Sequence, residues 1–391
     1  MRTRSAKTLL RAAYSALMFV TFAVLVVASL PSAQAQTFKS LYSFTGSTDG
    51  ANPFGAVIAD KSGALYGTTE AGGAGFGTVY KLSKGKETVL YSFTGGADGS
   101  SPFASLVMDK SGNLYGTAIA GGSGYGTVFK VASKSKKETV LYTFTGGADG
   151  AAPFSGLLMD NKGNLYGTTE GGGSASQGTV YEVNIKTMKE TVLHSFAGGT
   201  DGAIPLYGNL LVDAKGNLYG TTVGGGASGD GTVWEVSAKG TETVLYSFTG
   251  GDAGTGAFEQ SLAMDPKGNL YGTTENGGTS SAGVVFKVKI KNGKEAVLYN
   301  FTGEPDAAYP SSGLTRDSTG NLYGTSQEGG TSNLGSVFEV KGTKDTILHS
   351  FAGSDGENPF TSPLLDTDGT LYGVTYQGGT YGYGTVFSLK P

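Results

Sequence analysis

The sequence predicts an all-β protein: a seven-bladed β-propeller of four-stranded antiparallel blades, closed into a ring by its own N-terminal strand. Three observations carry this expectation. A heptapeptide signature recurs seven times at a near-constant period. Each period holds four short strand-like runs. The fourth run of the last period is displaced to the start of the chain.

The signature is Gly-Asn-Leu-Tyr-Gly-Thr-Thr at 163–169, 216–222 and 268–274, with close variants at 63–69, 112–118, 320–326 and 369–375. Its tyrosines are Tyr66, Tyr115, Tyr166, Tyr219, Tyr271, Tyr323 and Tyr372, spaced by 49, 51, 53, 52, 52 and 49 residues. A period near 50 with four strands per unit is the mark of a propeller blade.

The first unit shows the elements in order. A short apolar run spans 53–60, and Lys61-Ser62-Gly63 turns the chain into the signature strand. A glycine-rich loop follows at 70–77, then the apolar run 78–82, a turn at 83–86, and Glu87-Thr88-Val89-Leu90-Tyr91-Ser92-Phe93. The runs are short, rich in β-branched and aromatic residues, and bounded by turn residues, which are strand signals. Along the last run Val89, Tyr91 and Phe93 are expected to alternate with Leu90 and Ser92. Asp60, Asp109, Asp160, Asp213, Asp265, Asp317 and Asp366 each precede a glycine by three residues. Aspartate can bond its own following backbone at a turn, and glycine supplies the positive φ that a hairpin needs. Gly67 lies inside a strand, where glycine implies close approach of a neighbour. The signature tyrosine beside it is expected to cover that gap.

The Leu-Tyr-Ser-Phe type run also occurs seven times, starting at Leu41, Leu90, Leu141, Leu193, Leu245, Leu298 and Leu348. Its first copy precedes every other part of the repeat, and the seventh unit stops after its third run. Strand 38–45 should therefore complete blade seven and leave no open edge. An open solenoid would instead have atypical capping units at its ends.

Residues 1–35 differ from the rest. Arg2, Arg4, Lys7 and Arg11 precede an apolar run from Ala16 to Leu30, which Pro31 ends before Ala33-Gln34-Ala35. This is the pattern of a cleaved secretory signal peptide, too short for a spanning helix. The expected domains are a signal peptide at 1–35 and one propeller at 36–391, secreted or periplasmic. Losing those four positive charges takes the net charge from −4 to −4 − 4 = −8. The only arginine left is Arg316. A nucleic-acid partner would need a basic face, so none is expected. The chain has no cysteine, so packing alone must hold it. A monomer without a cofactor is expected.

Leu114 to Ala118, Gly126 to Phe129 and Thr139 to Gly150 carry a combination that resembles the bacterial GloVer tandem repeat. The resemblance covers essentially the whole chain after residue 35. It implies an exported bacterial protein of a family that uses various C-terminal anchors, although nothing follows blade seven here. It implies no reaction. A weaker likeness to kelch-type propellers lies in period and glycine placement.

Candidate chemistry is sparse. His194 and His349 are the only histidines, three blades apart, each replacing the tyrosine of the Leu-Tyr-Ser-Phe run. Packed or edge histidines fit better than a metal pair, and no metal site is expected. The glycine-rich loops 73–77 and 122–126 join strand to strand, which excludes a dinucleotide loop. Asp49, Asp98, Asp149, Asp201, Asp306 and Asp355 stand in the loop after the outer strand. They could form a calcium-binding ring of carboxylates, while the plainer reading is a turn device used once per blade. The residue before Gly-Thr-Val is aromatic in three copies: Phe76, Tyr125 and Tyr383, to which Tyr381 adds a fourth. Those copies belong to blades seven, one and two, contiguous once the ring closes. Aromatic faces on an exported loop surface suit sugar rings or peptides. The plainer alternative is that each ring covers its own loop. The leading functional expectation is a binding or scaffold module for surface glycans or proteins. The alternatives are a carbohydrate-active enzyme with carboxylates at the ring mouth, for which Glu259 in the divergent fifth blade is the candidate, and a purely structural surface protein.

Overall fold

The computed structural model describes residues 36–255 and 261–391. The expected signal peptide and Glu259 lie outside the described residues. Thr37–Lys390 form one unit. No described helix is long and apolar enough to cross a membrane.

Seven four-stranded antiparallel sheets form the blades. Blade one runs Ile58–Ala59, Leu65–Thr69, Thr78–Ser83 and Lys86–Ser92 from the axis outward. The first strand of every blade is only two residues long. Blade seven is assembled as the displaced run predicts: Leu364–Leu365, Leu371–Thr375 and Thr385–Lys390 receive Thr37–Ser43 as outer strand. Phe38 stands opposite Leu389, Ser40 opposite Phe387 and Tyr42 opposite Val386. The closing strand ends at Ser43, two residues short of the expected bound.

Neighbouring blades share their apolar faces. Val79, Tyr91 and Phe93 of blade one pack with Leu106, Leu114 and Phe129 of blade two. Phe44, Val374 and Val386 of blade seven pack with Tyr80 and Leu82 of blade one. Burying one such side chain stabilises by about 1.5–3 kcal/mol.

Two expectations need correction. Gly67 is covered by Tyr80 on the next strand, not by the signature tyrosine. The two residues are paired across the sheet, and a Cβ on Gly67 would lie 2.5 Å from the Tyr80 hydroxyl oxygen. Tyr66 instead donates its hydroxyl to Asp60 Oδ2 at 2.9 Å, while the Ser62 amide donates to Oδ1 of the same carboxylate at 2.8 Å. The turn aspartate and signature tyrosine thus lock one end of the hairpin in blades one to six, and in blade one these bonds hold Asp60 down to about 2 despite its partial burial. The second correction concerns the outer strand. Every outer strand carries a bulge at its leucine. Val89 lies opposite Tyr80 and Tyr91 opposite Val79, so Leu90 is the extra residue. Val89 and Tyr91 therefore face opposite neighbouring blades. A bulge re-aims the side chains beyond it, and the consequence appears at the outer rim.

Candidate binding face

Antiparallel connection places two sets of loops on one face of the ring: the glycine-rich loops and the aspartate loops after the outer strands. The rings singled out in the sequence lie there. Phe76, Tyr125 and Tyr383 are 44%, 46% and 44% exposed, and Tyr381 is 58% exposed. They account for four of the seven large exposed apolar side chains among the described residues. Each of the first three is held in one pose. A Cβ on Gly146 would meet three consecutive Tyr125 ring carbons at 2.4–2.6 Å, so the glycine approaches the ring's face. Gly95 meets Phe76 and Gly46 meets Tyr383 in the same way. One ring face rests on a glycine and the other faces solvent. The two readings of these residues are compatible: the rings do cover their loops, and they remain available. They sit one per blade, and no ring contact joins them into a shared pocket.

The backbone beneath is a latch between blades. The carbonyls of Phe76, Tyr125 and Tyr383 accept the amides of Ser101, Ala152 and Asn52 at 2.9 Å. Those three residues precede prolines and have φ of 52°, 54° and 58°, a strained setting for a residue with a side chain. The glycine after each ring admits the proline of the next blade: a Cβ on Gly126 would stand 2.5 Å from Pro153 Cδ. The ring positions are therefore rigid where the backbone is concerned, which lowers the entropy cost of binding.

The loop aspartates are turn devices. Asp149 accepts the Tyr142 hydroxyl at 2.9 Å, the Thr145 amide at 2.8 Å and the Thr145 hydroxyl at 2.6 Å. Asp49, Asp98 and Asp306 repeat the pattern with Tyr42, Tyr91 and Tyr299. His194 and His349 take the tyrosine's place, against Asp201 and Asp355. Asp252 departs, lying in the 3-10 turn Gly251–Ala253.

Sequence reasoning missed what the bulge does next. With Leu90 looped out, Glu87 faces the preceding blade and Tyr91 the following one. Each tyrosine–aspartate pair, and the His194–Asp201 pair in the same repeat position, consequently meets the first acid of the next outer strand. The pairs are Asp49 with Glu87, Asp98 with Glu138, Asp149 with Glu190, Asp201 with Glu242, and Asp306 with Asp345. Burial first, and the neighbouring carboxylate second, push Glu87, Glu138, Glu190 and Glu242 up to about 7 and Asp345 to about 8. Glu295, whose neighbour is Tyr246 without an aspartate, is raised by burial alone. One oxygen of each of these six acids is buried without a partner. The recurring Glu-Thr-Val-Leu-Tyr was the available signal, but only the bulge reveals that its first and last residues serve different junctions.

At the axis lies a cavity of about 380 Å³, lined by Val57, Leu106, Leu210, Leu314 and Leu364. Phe54, Phe103, Phe154, Tyr207 and Phe360 gather where the chain enters the inner strands, with Phe54 and Phe103 rings 3.7 Å apart and Phe54 and Phe360 4.9 Å apart. Aromatic pairs at such separations attract beyond their buried area. The Pro-Phe dipeptides at 53–54, 102–103, 153–154 and 359–360 were visible in the sequence without pointing to this plug. Beside it Tyr376 donates to Glu70 at 2.8 Å. Glu170 and Glu275 occupy the same repeat position as Glu70 and are raised by burial.

Solved structures with this fold are distant in sequence. The extracellular domain of a hybrid two-component system from B. thetaiotaomicron matches with a TM-score of 0.60 at 12% identity, over 91% of this chain and 39% of that one. The present chain thus spans about two fifths of that protein. An oligogalacturonate lyase from Vibrio parahaemolyticus matches with a TM-score of 0.56 at 13% identity, over 92% and 95% of the two chains. An oligogalacturonate lyase in complex with manganese gives 0.58 at 14%, over 92% and 94%. At such identities these likenesses show the fold alone. No curated protein matches the sequence. The Gloeobacter/Verrucomicrobia repeat matches twice, at residues 26–209 and 206–391, and with the GloVer-type signature seen in every blade, the chain belongs to that repeat family.

Proposed function

We propose that the protein is an exported binding module. It takes a flat-faced ligand, foremost the sugar rings of a surface polysaccharide, on the sector formed by blades seven, one and two. The observation that carries this reading is the repeated posing of Phe76, Tyr125 and Tyr383, each backed by a glycine on one face and open on the other. A sugar presents an apolar C–H face that suits such a platform. Three platforms on adjacent blades suit an extended chain. The bonding of the loop aspartates agrees, since Asp49, Asp98 and Asp149 are occupied by their own loops and outer strands. Export itself rests on the pattern of residues 1–35.

The test is a glycan array followed by titration calorimetry, comparing the protein with a Phe76→Ala/Tyr125→Ala/Tyr383→Ala variant. Loss of affinity by tenfold or more supports the reading. Equal binding by both removes it.

A second reading, a carbohydrate-active enzyme, draws on Glu170 and Glu275, whose carboxyls are raised by burial near the plugged mouth. Ultraviolet absorbance or reducing ends released from polygalacturonate and xylan would support it, provided Glu170→Gln and Glu275→Gln abolish the release.

A further inference from the structure

The outer rim repeats one arrangement at successive blade junctions, and its departures are informative. In the common form a tyrosine hydroxyl donates to the loop aspartate, and an acid from the next blade stands beside them. Such a site offers only carboxylates and a phenol. Two junctions replace the phenol by imidazole, with different surroundings.

Between blades six and seven, His349 Nε2 lies 2.8 Å from one oxygen of Asp355. The acid is missing there, because the strand that closes the ring begins differently. Phe38 holds its position and stacks on His349 with centroids 3.7 Å apart and planes 3° from parallel. That histidine has one carboxylate and a ring.

Between blades three and four the full set is present. His194 Nε2 lies 3.3 Å from both oxygens of Asp201, facing the carboxylate symmetrically rather than donating along one lone pair. A carboxylate oxygen of Glu242 completes a group whose ligand atoms all lie within 4.8 Å of one another. Glu242 Oε1 is buried without a partner. The Ala197 amide donates to Asp201 Oδ2 at 2.8 Å and fixes the carboxylate's orientation, as the outer partners of metal ligands commonly do. His194 and Asp201 side chains each keep 18–19% exposure, which leaves an approach from solvent.

We infer that His194, Asp201 and Glu242 form a zinc site that bridges blades three and four. One neutral imidazole and two carboxylates balance a divalent cation. Zinc takes nitrogen at about 2.0–2.1 Å and carboxylate oxygen at about 2.0–2.2 Å in tetrahedral geometry, which sets ligand atoms roughly 3.3–3.5 Å apart. The histidine–aspartate spacing already matches. Glu242 has a short distance to move, and the movement gives its buried oxygen a partner. Solvent supplies the fourth ligand. The absence of cysteine makes oxygen and nitrogen the only donors, which zinc tolerates. The sequence pointed away from a metal because it set the two histidines three blades apart. The ligands beside His194 are carboxylates of its own junction, one of them from the next blade.

The experiment uses tag-free protein stripped with chelator and titrated with zinc chloride, read by calorimetry and by thermal melting. One equivalent of zinc should bind, and zinc at 100 times the dissociation constant should raise the melting temperature. His194→Tyr installs the residue that four of the other junctions use against their aspartates, so it should fold, and it should lose binding by 100-fold or more. Glu242→Gln should lose at least tenfold. His349→Tyr should bind as the parent does. No saturable binding, a stoichiometry near six, retention in His194→Tyr, or equal loss in His349→Tyr would each overturn the assignment.

Discussion

The carboxylate belt makes the protein's stability depend on pH with a defined sign. Glu87, Glu138 and Glu190 are raised from the ordinary 4.5 to about 7 by burial and by Asp49, Asp98 and Asp149. A carboxyl whose folded value is raised binds its proton more tightly when folded. Its stabilising contribution is complete below about 4.5 and is lost as pH rises through about 7. Ionising one such group at pH 9 would cost up to about 3 kcal/mol at full strength. Partial contact with water reduces this to about 1–2 kcal/mol. Glutamine mimics the protonated acid and cannot ionise. The three sites belong to separate junctions, so their effects should add. A Glu87→Gln/Glu138→Gln/Glu190→Gln variant should exceed the parent by only about 1 kcal/mol at pH 5 and by about 3–6 kcal/mol at pH 9. For a unit of this size that is about 4–8 °C in melting temperature. Calorimetric melting from pH 5 to pH 9 measures it. A difference that stays constant with pH, or that grows toward acid, would refute the argument.

Three further outcomes follow from the geometry. Gly124→Ala and Gly126→Ala both force alanine to positive φ, but only Gly126 faces Pro153 and the Ala118 carbonyl, at 2.5 and 2.6 Å, while nothing lies within 4 Å of Gly124. Gly124→Ala should cost about 1–2 kcal/mol and Gly126→Ala about 1–3 kcal/mol more, compared by urea denaturation. Tyr142→Phe removes the hydroxyl that donates to Asp149 and should cost about 1–2 kcal/mol, whereas Tyr246→Phe, beside no loop aspartate, should cost less in the same assay. Removing residues 36–43 strips blade seven of its outer strand and His349 of its stacked Phe38. The exposed edge of Thr385–Lys390 should then drive self-association, visible as larger species in size-exclusion chromatography with light scattering.

The fold was legible because its evidence is repeated. Seven tyrosine-marked signatures fixed the number of blades, and the displaced Leu41 copy fixed how the ring closes. What periodicity could not show was the bulge. An unbroken alternation puts Glu87 and Tyr91 on one face, since they are four residues apart in a strand. Looping out Leu90 sends them to opposite blades, and the whole rim of paired acids depends on that one backbone irregularity. The same limit misassigned the partner of Gly67. The glycine and Tyr66 are neighbours in sequence, but cross-strand register, which brings Tyr80 to Gly67, is absent from a single chain's pattern.

Repetition also explains why function was harder to read than fold. A residue present in every blade answers first to blade geometry: Asp60 and its equivalents tie a turn, and Asp149 and its equivalents tie a loop. Information about a ligand should therefore concentrate where copies differ. Phe76, Tyr125 and Tyr383 differ from Gln177, Asp230, Ala282 and Leu334 at the same repeat position, and the glycine backing Phe76, Tyr125 and Tyr383 is a blade device reused to pose a ring. His194 differs from Tyr142 by one side chain, and that change converts a locked turn into a junction with nitrogen and carboxylate donors together. Departures on a repeated scaffold cost little in folding where the new side chain still bonds the loop, as His194 does with Asp201. A variant that restores the repeat's own residue, such as His194→Tyr, should thus leave stability near the parent's while removing whatever the departure supplies. A large loss of stability in that variant would show instead that the histidine is part of the blade's framework.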